Sequence, residues 1–139
     1  MLEKDLIEEA DASPRAKAVF ADIRATRETA YLSNFWRALA HDEELLENTW
    51  SEVKAAMYPA EDGGGALDPQ TRELIYLAVS IANGCVYCVP CHTAIARAAG
   101  MSEQQYAELL RIVAAAGQTN ALARQLKVPV DETYMQEAD

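Results

Sequence analysis

The chain has 139 residues, of which 50% are hydrophobic and 24% are charged. This length and composition predict one domain over residues 1–139 with a substantial core, and they exclude a disordered tail. Twelve basic against 22 acidic residues give a net charge of −10, which repels nucleic-acid phosphates and anionic lipid headgroups. We therefore expect neither nucleic acid nor a membrane among its partners.

Helical spacing is found in every long patterned segment, and no sustained period-two alternation indicates a strand. The predicted fold class is all-α, a single-domain helical bundle. Ser13, followed by proline, predicts the N-cap of a first helix that runs to about Thr29. A short helix around residues 34–39 precedes a longer one, which Asp42 caps and which ends before Pro59.

The second half of the chain continues this pattern. Asp68, followed by proline, predicts a helix over residues 70–82 that is apolar almost all round and therefore central and buried. The next helix is expected over about residues 85–99. A capping box at Ser102 begins another helix, and a last pair of short helices is expected on either side of residues 128–129.

The sequence also predicts a cytoplasmic location. No apolar stretch is long enough to cross a membrane, and the N-terminal residues are acidic, unlike a secretory signal. The three cysteines lie between Cys85 and Cys91, too few and too close together for the disulfide framework of a secreted domain. In a reducing compartment such a cluster indicates metal binding, redox chemistry or covalent attachment of a cofactor.

The spacing of Cys85, Cys88 and His92 is three, four and seven residues. On a helix these spacings place the three side chains within about 60° of arc. If the helix begins near Cys85, both cysteines lie in its first turn, where unpaired backbone N–H groups and the helix dipole favour a thiolate. The three residues are therefore candidates for thiol chemistry.

The helix dipole alone does not ionise a thiol at neutral pH. It contributes about 0.3–1 kcal/mol, whereas lowering a thiol pKa by one unit takes about 1.4 kcal/mol, so a base or a cation is also needed. His92, one turn beyond Cys88, fits that role. Glu73 would reach and orient the imidazole if its helix packed antiparallel beside the cysteine helix.

Glu73, Cys85, Cys88 and His92 follow the spacing Glu-x11-Cys-x2-Cys-x3-His. This pattern resembles the motif of the alkylhydroperoxidase D-like branch of the carboxymuconolactone decarboxylase superfamily. The flanking sequence is similar to that family over roughly residues 34–117.

The resemblance implies an all-α homo-oligomer, often a trimer or a hexamer, with thiol-dependent peroxidase or disulfide reductase activity and no metal or other cofactor. It implies that Cys88 is oxidised to a sulfenic acid, and that Cys85 donates the proton and then resolves the sulfenic acid into a Cys85-Cys88 disulfide. His92 and Glu73 would form the relay that draws the proton from Cys88. A lipoylated or thioredoxin-like protein would reduce the disulfide.

The predicted function is therefore the reduction of hydrogen peroxide or organic hydroperoxides. As an alternative, the same cysteine pair would reduce the disulfide of a partner protein without peroxide turnover. A lactone decarboxylase-like enzyme and a non-catalytic redox-sensing scaffold rank lower, because the former chemistry needs no thiol and the latter would oxidise only once.

Two positions depart from the family pattern. Some members carry a histidine between the two cysteines, where this chain has Tyr87, which we expect to pack. Cys91 has no role in the family and is expected to be a buried bystander, although it lies three residues after Cys88 and could compete for it.

Other interpretations of the cysteine segment are disfavoured. Residues 88–92 have the form Cys-x-x-Cys-His, the attachment motif of c-type haem, but haem attachment takes place outside the cytosol. A zinc site built from the three cysteines and His92 is difficult because Cys91 and His92 diverge by about 100° on a helix. An iron–sulfur cluster lacks its fourth cysteine.

The remaining aromatic and histidine residues are predicted to be structural. Trp36, Trp50 and Tyr76 lie on apolar stripes and are expected in the core or at a subunit interface. His41, beside Asp42 at a helix start, is expected to be structural or solvated.

Overall fold

The computed structural model describes residues 5–60 and 64–135, and within these ranges all regular secondary structure is helical. This confirms the all-α prediction. By its internal contacts the chain divides into two compact units, with the division between Ala66 and Leu67. The assignment of residues 1–139 to a single domain stays a prediction. No helix in the described part of the chain has the length and apolar character to span a membrane.

Among its described residues, 5–60 and 64–66, the first unit contains a short 3-10 helix and three α-helices. Their bounds are Glu9–Asp11 for the 3-10 helix, Pro14–Arg27 for α1, Asn34–Leu39 for α2 and Glu43–Met57 for α3. The predicted caps are confirmed, because Ser13 and Asp42 each accept a hydrogen bond at 3.1 Å from the backbone N–H three residues later. Helix α1 ends slightly earlier than predicted, since Glu28 has a φ of 53° in the left-handed region.

Two tryptophans form the centre of the first unit's core. Trp36 and Trp50 are 2% and 4% exposed, and their rings meet edge to face with centroids 5.3 Å apart. Their predicted core position is confirmed. His41 is exposed, and its Nε2 donates to the carbonyl oxygen of Asp5, which agrees with a structural or solvated histidine.

The second unit contains four α-helices in the part that the structure describes, residues 67–135. Their bounds are Pro69–Ala82 for α4, Cys88–Ala98 for α5, Glu103–Leu126 for α6 and Glu132–Met135 for α7. Helix α4 packs against both α5 and α6, around a core of Leu77, Ala96, Met101 and Leu109. The predicted caps are again present: the carboxylate of Asp68 accepts from the N–H of Thr71 at 2.8 Å, and Ser102 forms a complete capping box.

Three expectations for the second unit are wrong. Helix α4 is not buried all round, because Ile75 and Val79 are 47% and 54% exposed. Helix α5 begins at Cys88 rather than near Cys85, since residues 83–87 form turns. Of the two short helices expected on either side of residues 128–129, the second is α7, but the first is not a separate helix. The helix that begins at the capping box instead continues without a break to Leu126, because its alanine-rich second half favours helix, and left-handed Lys127 ends it.

Asp22 links α1 to α3 in the first unit. Its carboxylate accepts from Trp50 Nε1 at 2.7 Å and from Lys54 Nζ at 2.9 Å. The indole hydrogen bond, followed by that from Lys54, holds the pKa of Asp22 below its ordinary value. Folding therefore favours the ionised form of this carboxyl group.

We predict that Asp22→Ala lowers the free energy of unfolding by about 1–2 kcal/mol at pH 7, because the indole N–H of buried Trp50 loses its acceptor. Lys54→Met, the control, should cost less than about 1 kcal/mol, since Asp22 is 44% exposed and water screens this ion pair. Urea unfolding followed by tryptophan fluorescence measures both, because both tryptophans lie in the first unit.

The same experiment has a pH dependence of known sign. Because folding lowers the pKa of Asp22, its electrostatic contribution is present above the unfolded-state value of about 3.9 and is lost as the pH falls through the folded-state value. The difference between Asp22→Ala and the parent should therefore shrink in acid. Equal stability of Asp22→Ala and Lys54→Met at pH 7 would contradict the assignment to the indole bond.

Candidate active site

The two cysteines of the predicted pair lie at the start of α5 and form a disulfide. Cys85 is in the turn before the helix, Cys88 is its first residue, and their Cα atoms are 5.3 Å apart. Both residues are half-buried. The structure thus pairs Cys85 with Cys88, as the resemblance implied, and leaves Cys91 outside the disulfide.

Backbone hydrogen bonds in the turn after α4 explain why Cys85 is positioned there. Gly84 adopts a φ of 66°, and its N–H donates to Ile81, while the N–H of Cys85 donates to Ser80. These two bonds form a Schellman motif, in which glycine supplies the left-handed residue that ends the helix. Cys85 is the last residue of this motif, so the end of α4 fixes its backbone position.

Cys85 also prepares the start of α5. Its carbonyl oxygen accepts from the N–H of Val89 at 3.1 Å, and its Sγ accepts from the N–H of Cys88 at 3.1 Å. The second bond has the same three-residue offset as the bonds that Ser13 and Asp42 accept at their helix starts. The sulfur of Cys85 therefore satisfies the first backbone N–H of α5, whose N-cap residue, Tyr87, makes no side-chain capping bond.

Glu73 and His92 are brought together between two helices. Nδ1 of His92, on α5, lies 3.0 Å from Oε2 of Glu73, on α4, and the two residues are 7% and 5% exposed. The contact that the sequence made conditional on helix packing is therefore present. With Nδ1–H donating to the carboxylate, Nε2 is the ring nitrogen left to accept a proton.

Burial strengthens this pair. A carboxylate withdrawn from water is unfavourable unless it is hydrogen-bonded or paired, and the imidazole supplies that partner. In return, the carboxylate accepts from Nδ1 and holds the imidazole in place. The pair therefore has the arrangement of a general base, one helical turn from Cys88 on the same helix.

Tyr76 is the residue of the site that the sequence analysis assigned to a different role. Its ring stacks on the imidazole of His92, with centroids 3.9 Å apart and an angle of 24° between the planes. The expectation of a core or interface residue overlooked this contact. One signal was available, since Tyr76 lies three residues after Glu73 and so on the same face of a helix.

The residues between the two cysteines are exposed. Val86 is 89% exposed and Tyr87 is 43% exposed. The expectation that Tyr87 packs is therefore met only in part, since Tyr87 is the N-cap residue of α5 and keeps 43% of its surface exposed. The sequence contains two histidines, and His92 is the one within this unit.

The structure engages the residues of the alternative metal sites in other ways. Cys85 and Cys88 are bonded to each other, His92 is bonded to Glu73, and Cys91 is half-buried on α5. Within residues 5–60 and 64–135, no group of three or more histidine, cysteine, aspartate or glutamate side chains is arranged to hold a metal ion. The role of Cys91 as a bystander stays a prediction.

Comparison with known proteins identifies the family. The sequence model of the carboxymuconolactone decarboxylase family matches residues 43–131. A protein named alkyl hydroperoxide reductase AhpD from Mycobacteroides abscessus is 31% identical over 121 residues, which cover 86% of this chain and 67% of that protein. A protein of the same name from Azorhizobium caulinodans is 31% identical over 106 residues, 75% of this chain and 57% of its own length.

A solved structure agrees with the sequence matches. The crystal structure of an alkylhydroperoxidase AhpD core from Rhodospirillum rubrum superimposes with a TM-score of 0.89 at 51% identity, and the match covers 97% of this chain and 98% of that one. The chain therefore belongs to the carboxymuconolactone decarboxylase family, in its alkylhydroperoxidase D-like branch.

Proposed function

We propose that this protein is an alkylhydroperoxidase-like oxidoreductase, which reduces hydrogen peroxide or organic hydroperoxides with Cys88 and Cys85. The observation that carries the proposal is the buried bond between Glu73 and His92, on the helix whose first residue is Cys88. A positioned base beside a cysteine pair is what peroxide reduction by thiols requires. The printed names of the relatives, alkyl hydroperoxide reductase and alkylhydroperoxidase, support the same activity.

The reaction begins with removal of the Cys88 thiol proton by His92, whose positive charge Glu73 balances. The Cys88 thiolate attacks one oxygen of the peroxide, the O–O bond breaks, and the other oxygen takes the proton of the Cys85 thiol and leaves as an alcohol, or as water from hydrogen peroxide. Cys88 is then a sulfenic acid. The Cys85 thiolate attacks its sulfur, hydroxide leaves and takes the proton held by His92 to become water, and the Cys85-Cys88 disulfide forms.

A dithiol must then supply two electrons to restore the reduced pair. We assign this step to a lipoylated or thioredoxin-like protein, which exchanges its thiols with the Cys85-Cys88 disulfide. The half-buried position of both sulfurs and the exposure of Val86 between them support access by another protein.

We also propose that the chain acts as one domain and assembles as a homo-oligomer, a trimer or a hexamer, in the cytoplasm. Exposed apolar residues along α6 support assembly, because Ile112, Leu122 and Leu126 are 68%, 52% and 72% exposed. Large apolar side chains that are this exposed favour burial against another protein surface.

A second candidate is a protein disulfide reductase that does not turn over peroxide. The exposed Val86 and Tyr87 favour it, since they provide a surface next to the disulfide for a protein substrate. The two candidates share the thiolate and the base, and they differ in whether a sulfenic acid forms.

Formation of a sulfenic acid at Cys88 separates the two candidates. In Cys85→Ser protein, one equivalent of peroxide should oxidise Cys88 much faster than a free thiol, and a sulfenic-acid trap should give one adduct at Cys88 because the resolving thiol of Cys85 is absent. Intact mass followed by peptide mapping measures this. If Cys88 forms no adduct while the Cys85-Cys88 disulfide of the unmutated protein is readily reduced, the protein is a disulfide reductase.

The reactivity of the Cys88 thiol tests His92 and Glu73 as the proposed base. His92→Ala and Glu73→Gln should each slow alkylation of Cys88 at pH 7 about ten-fold, because less of the thiol is ionised without the buried pair. The measurement is the iodoacetamide rate in reduced protein that carries Cys85→Ser and Cys91→Ser, so that one thiol reacts. Glu108→Gln, an exposed carboxylate on α6, is the matched control. Unchanged rates in both site variants would remove their assigned roles.

Peroxide turnover tests the bystander role predicted for Cys91. Cys91→Ser should retain peroxide turnover to within about two-fold, because the disulfide joins Cys85 and Cys88 without it. Steady-state peroxide consumption with a dithiol donor measures this. A large loss of turnover would mean that Cys91 takes part in the disulfide cycle.

A further inference from the structure

Tyr76 has a defined place in the site, on the helix that carries Glu73. The two residues are three positions apart on α4, so their side chains leave the same face of the helix. Glu73 meets the edge of the His92 ring at Nδ1, and Tyr76 covers its face at a centroid distance of 3.9 Å. One turn of α4 therefore contacts the imidazole in two perpendicular directions.

We propose that Tyr76 is a positioning residue that promotes ionisation of Cys88 through His92. This inference rests on the proposed function, in which His92 takes the thiol proton. It goes beyond that function because it assigns part of the strength of the base to an aromatic ring outside the Glu-Cys-Cys-His motif.

The first effect of the ring is orientation. A single hydrogen bond at Nδ1 does not by itself fix the side-chain torsion angles that set the plane of the imidazole. Stacking on Tyr76, at 24° between planes, fixes the plane of the ring. Edge and face contacts together fix the direction of Nε2, the nitrogen that exchanges the proton.

The second effect of the ring is electrostatic. The face of a phenol ring carries partial negative charge, which attracts a cation stacked on it. The stack therefore places the partially negative face of Tyr76 against the ring on which positive charge develops in the proposed proton transfer. Contacts between a cation and an aromatic face change an equilibrium constant by between about two-fold and thirty-fold, with the larger effects at desolvated positions.

Other charged groups do not replace this contribution. The charged side chain bonded to His92 among the described residues is Glu73. Arg72, beside it on α4, donates through Nε to a backbone carbonyl oxygen, and Arg97 on α5 pairs with Glu103. The remaining titratable groups of α4 and α5 are Tyr76, Cys88 and Cys91.

The test is a mutant cycle in the reduced Cys85→Ser, Cys91→Ser protein. Tyr76→Leu and Tyr76→Phe are each combined with His92 and with His92→Ala, and the alkylation rate of Cys88 is measured between about pH 5 and pH 9. Tyr76→Phe, the matched control, keeps the stacked ring and should stay within about two-fold. Tyr76→Leu should be about three- to ten-fold slower at pH 7, with the midpoint of its rate profile at higher pH.

The cycle distinguishes action through His92 from a structural role. In the His92→Ala protein, Tyr76→Leu should cause no further loss. An equal loss in both backgrounds, or no loss in either while His92→Ala is slow, would overturn the inference and leave the proposed function standing. If His92→Ala itself were as fast as the parent, the proposed base would fail, and the inference with it.

A second comparison tests the electrostatic effect in case Tyr76→Leu does not fold. Pentafluorophenylalanine incorporated at position 76 keeps the shape of phenylalanine and reverses the charge of the ring face. Cys88 should react about three-fold or more slowly in this protein than in Tyr76→Phe. Equal rates at all pH values would overturn the electrostatic part of the proposal.

Discussion

The buried hydrogen bond between Glu73 and His92 is the interaction on which the site depends. A carboxylate that is 5% exposed requires a partner within the protein, and here the partner is on the neighbouring helix. The bond therefore fixes how α4 lies against α5 at this point, and it also selects the tautomer of the imidazole. Folding and the proposed chemistry are coupled, because the same contact satisfies a buried charge and orients the imidazole that we propose as the base.

The cysteine pair depends on this helix pair through the connecting turn. The N–H of Cys85 donates to the carbonyl oxygen of Ser80 at the end of α4. The sulfur of Cys85 accepts from the N–H of Cys88 at the start of α5. Gly84 makes the turn possible at a φ of 66°, and since a Cβ there would meet no atom within 4 Å, the constraint is conformational rather than steric. A short, hydrogen-bonded turn thus keeps the thiols at a fixed position relative to the base.

Features determined by local chemistry could be predicted from the sequence. The helix starts at Ser13, Asp42 and Asp68 follow from side chains that cap the next backbone N–H groups, and the structure contains each bond. The pairing of Glu73 with His92 was predicted conditionally, because their spacing permits a contact that only helix packing creates. The stack of Tyr76 on His92 and the exposure of Tyr87 could not be predicted, because an apolar stripe does not specify which neighbour covers each of its members.

The distribution of burial fits the two halves of the proposed redox cycle. Within a few residues the chain passes from Val86, which is 89% exposed, through half-buried Cys88 to His92, which is 7% exposed. His92 is withdrawn from water, so its interactions with Glu73 and Tyr76 are screened little. The sulfurs lie between that interior and the surface, where the proposed peroxide and the proposed protein thiol would reach the same atoms in turn. In that cycle, full burial of the cysteines would exclude a protein donor, whereas full exposure of His92 would weaken the proposed base, and the observed gradient avoids both.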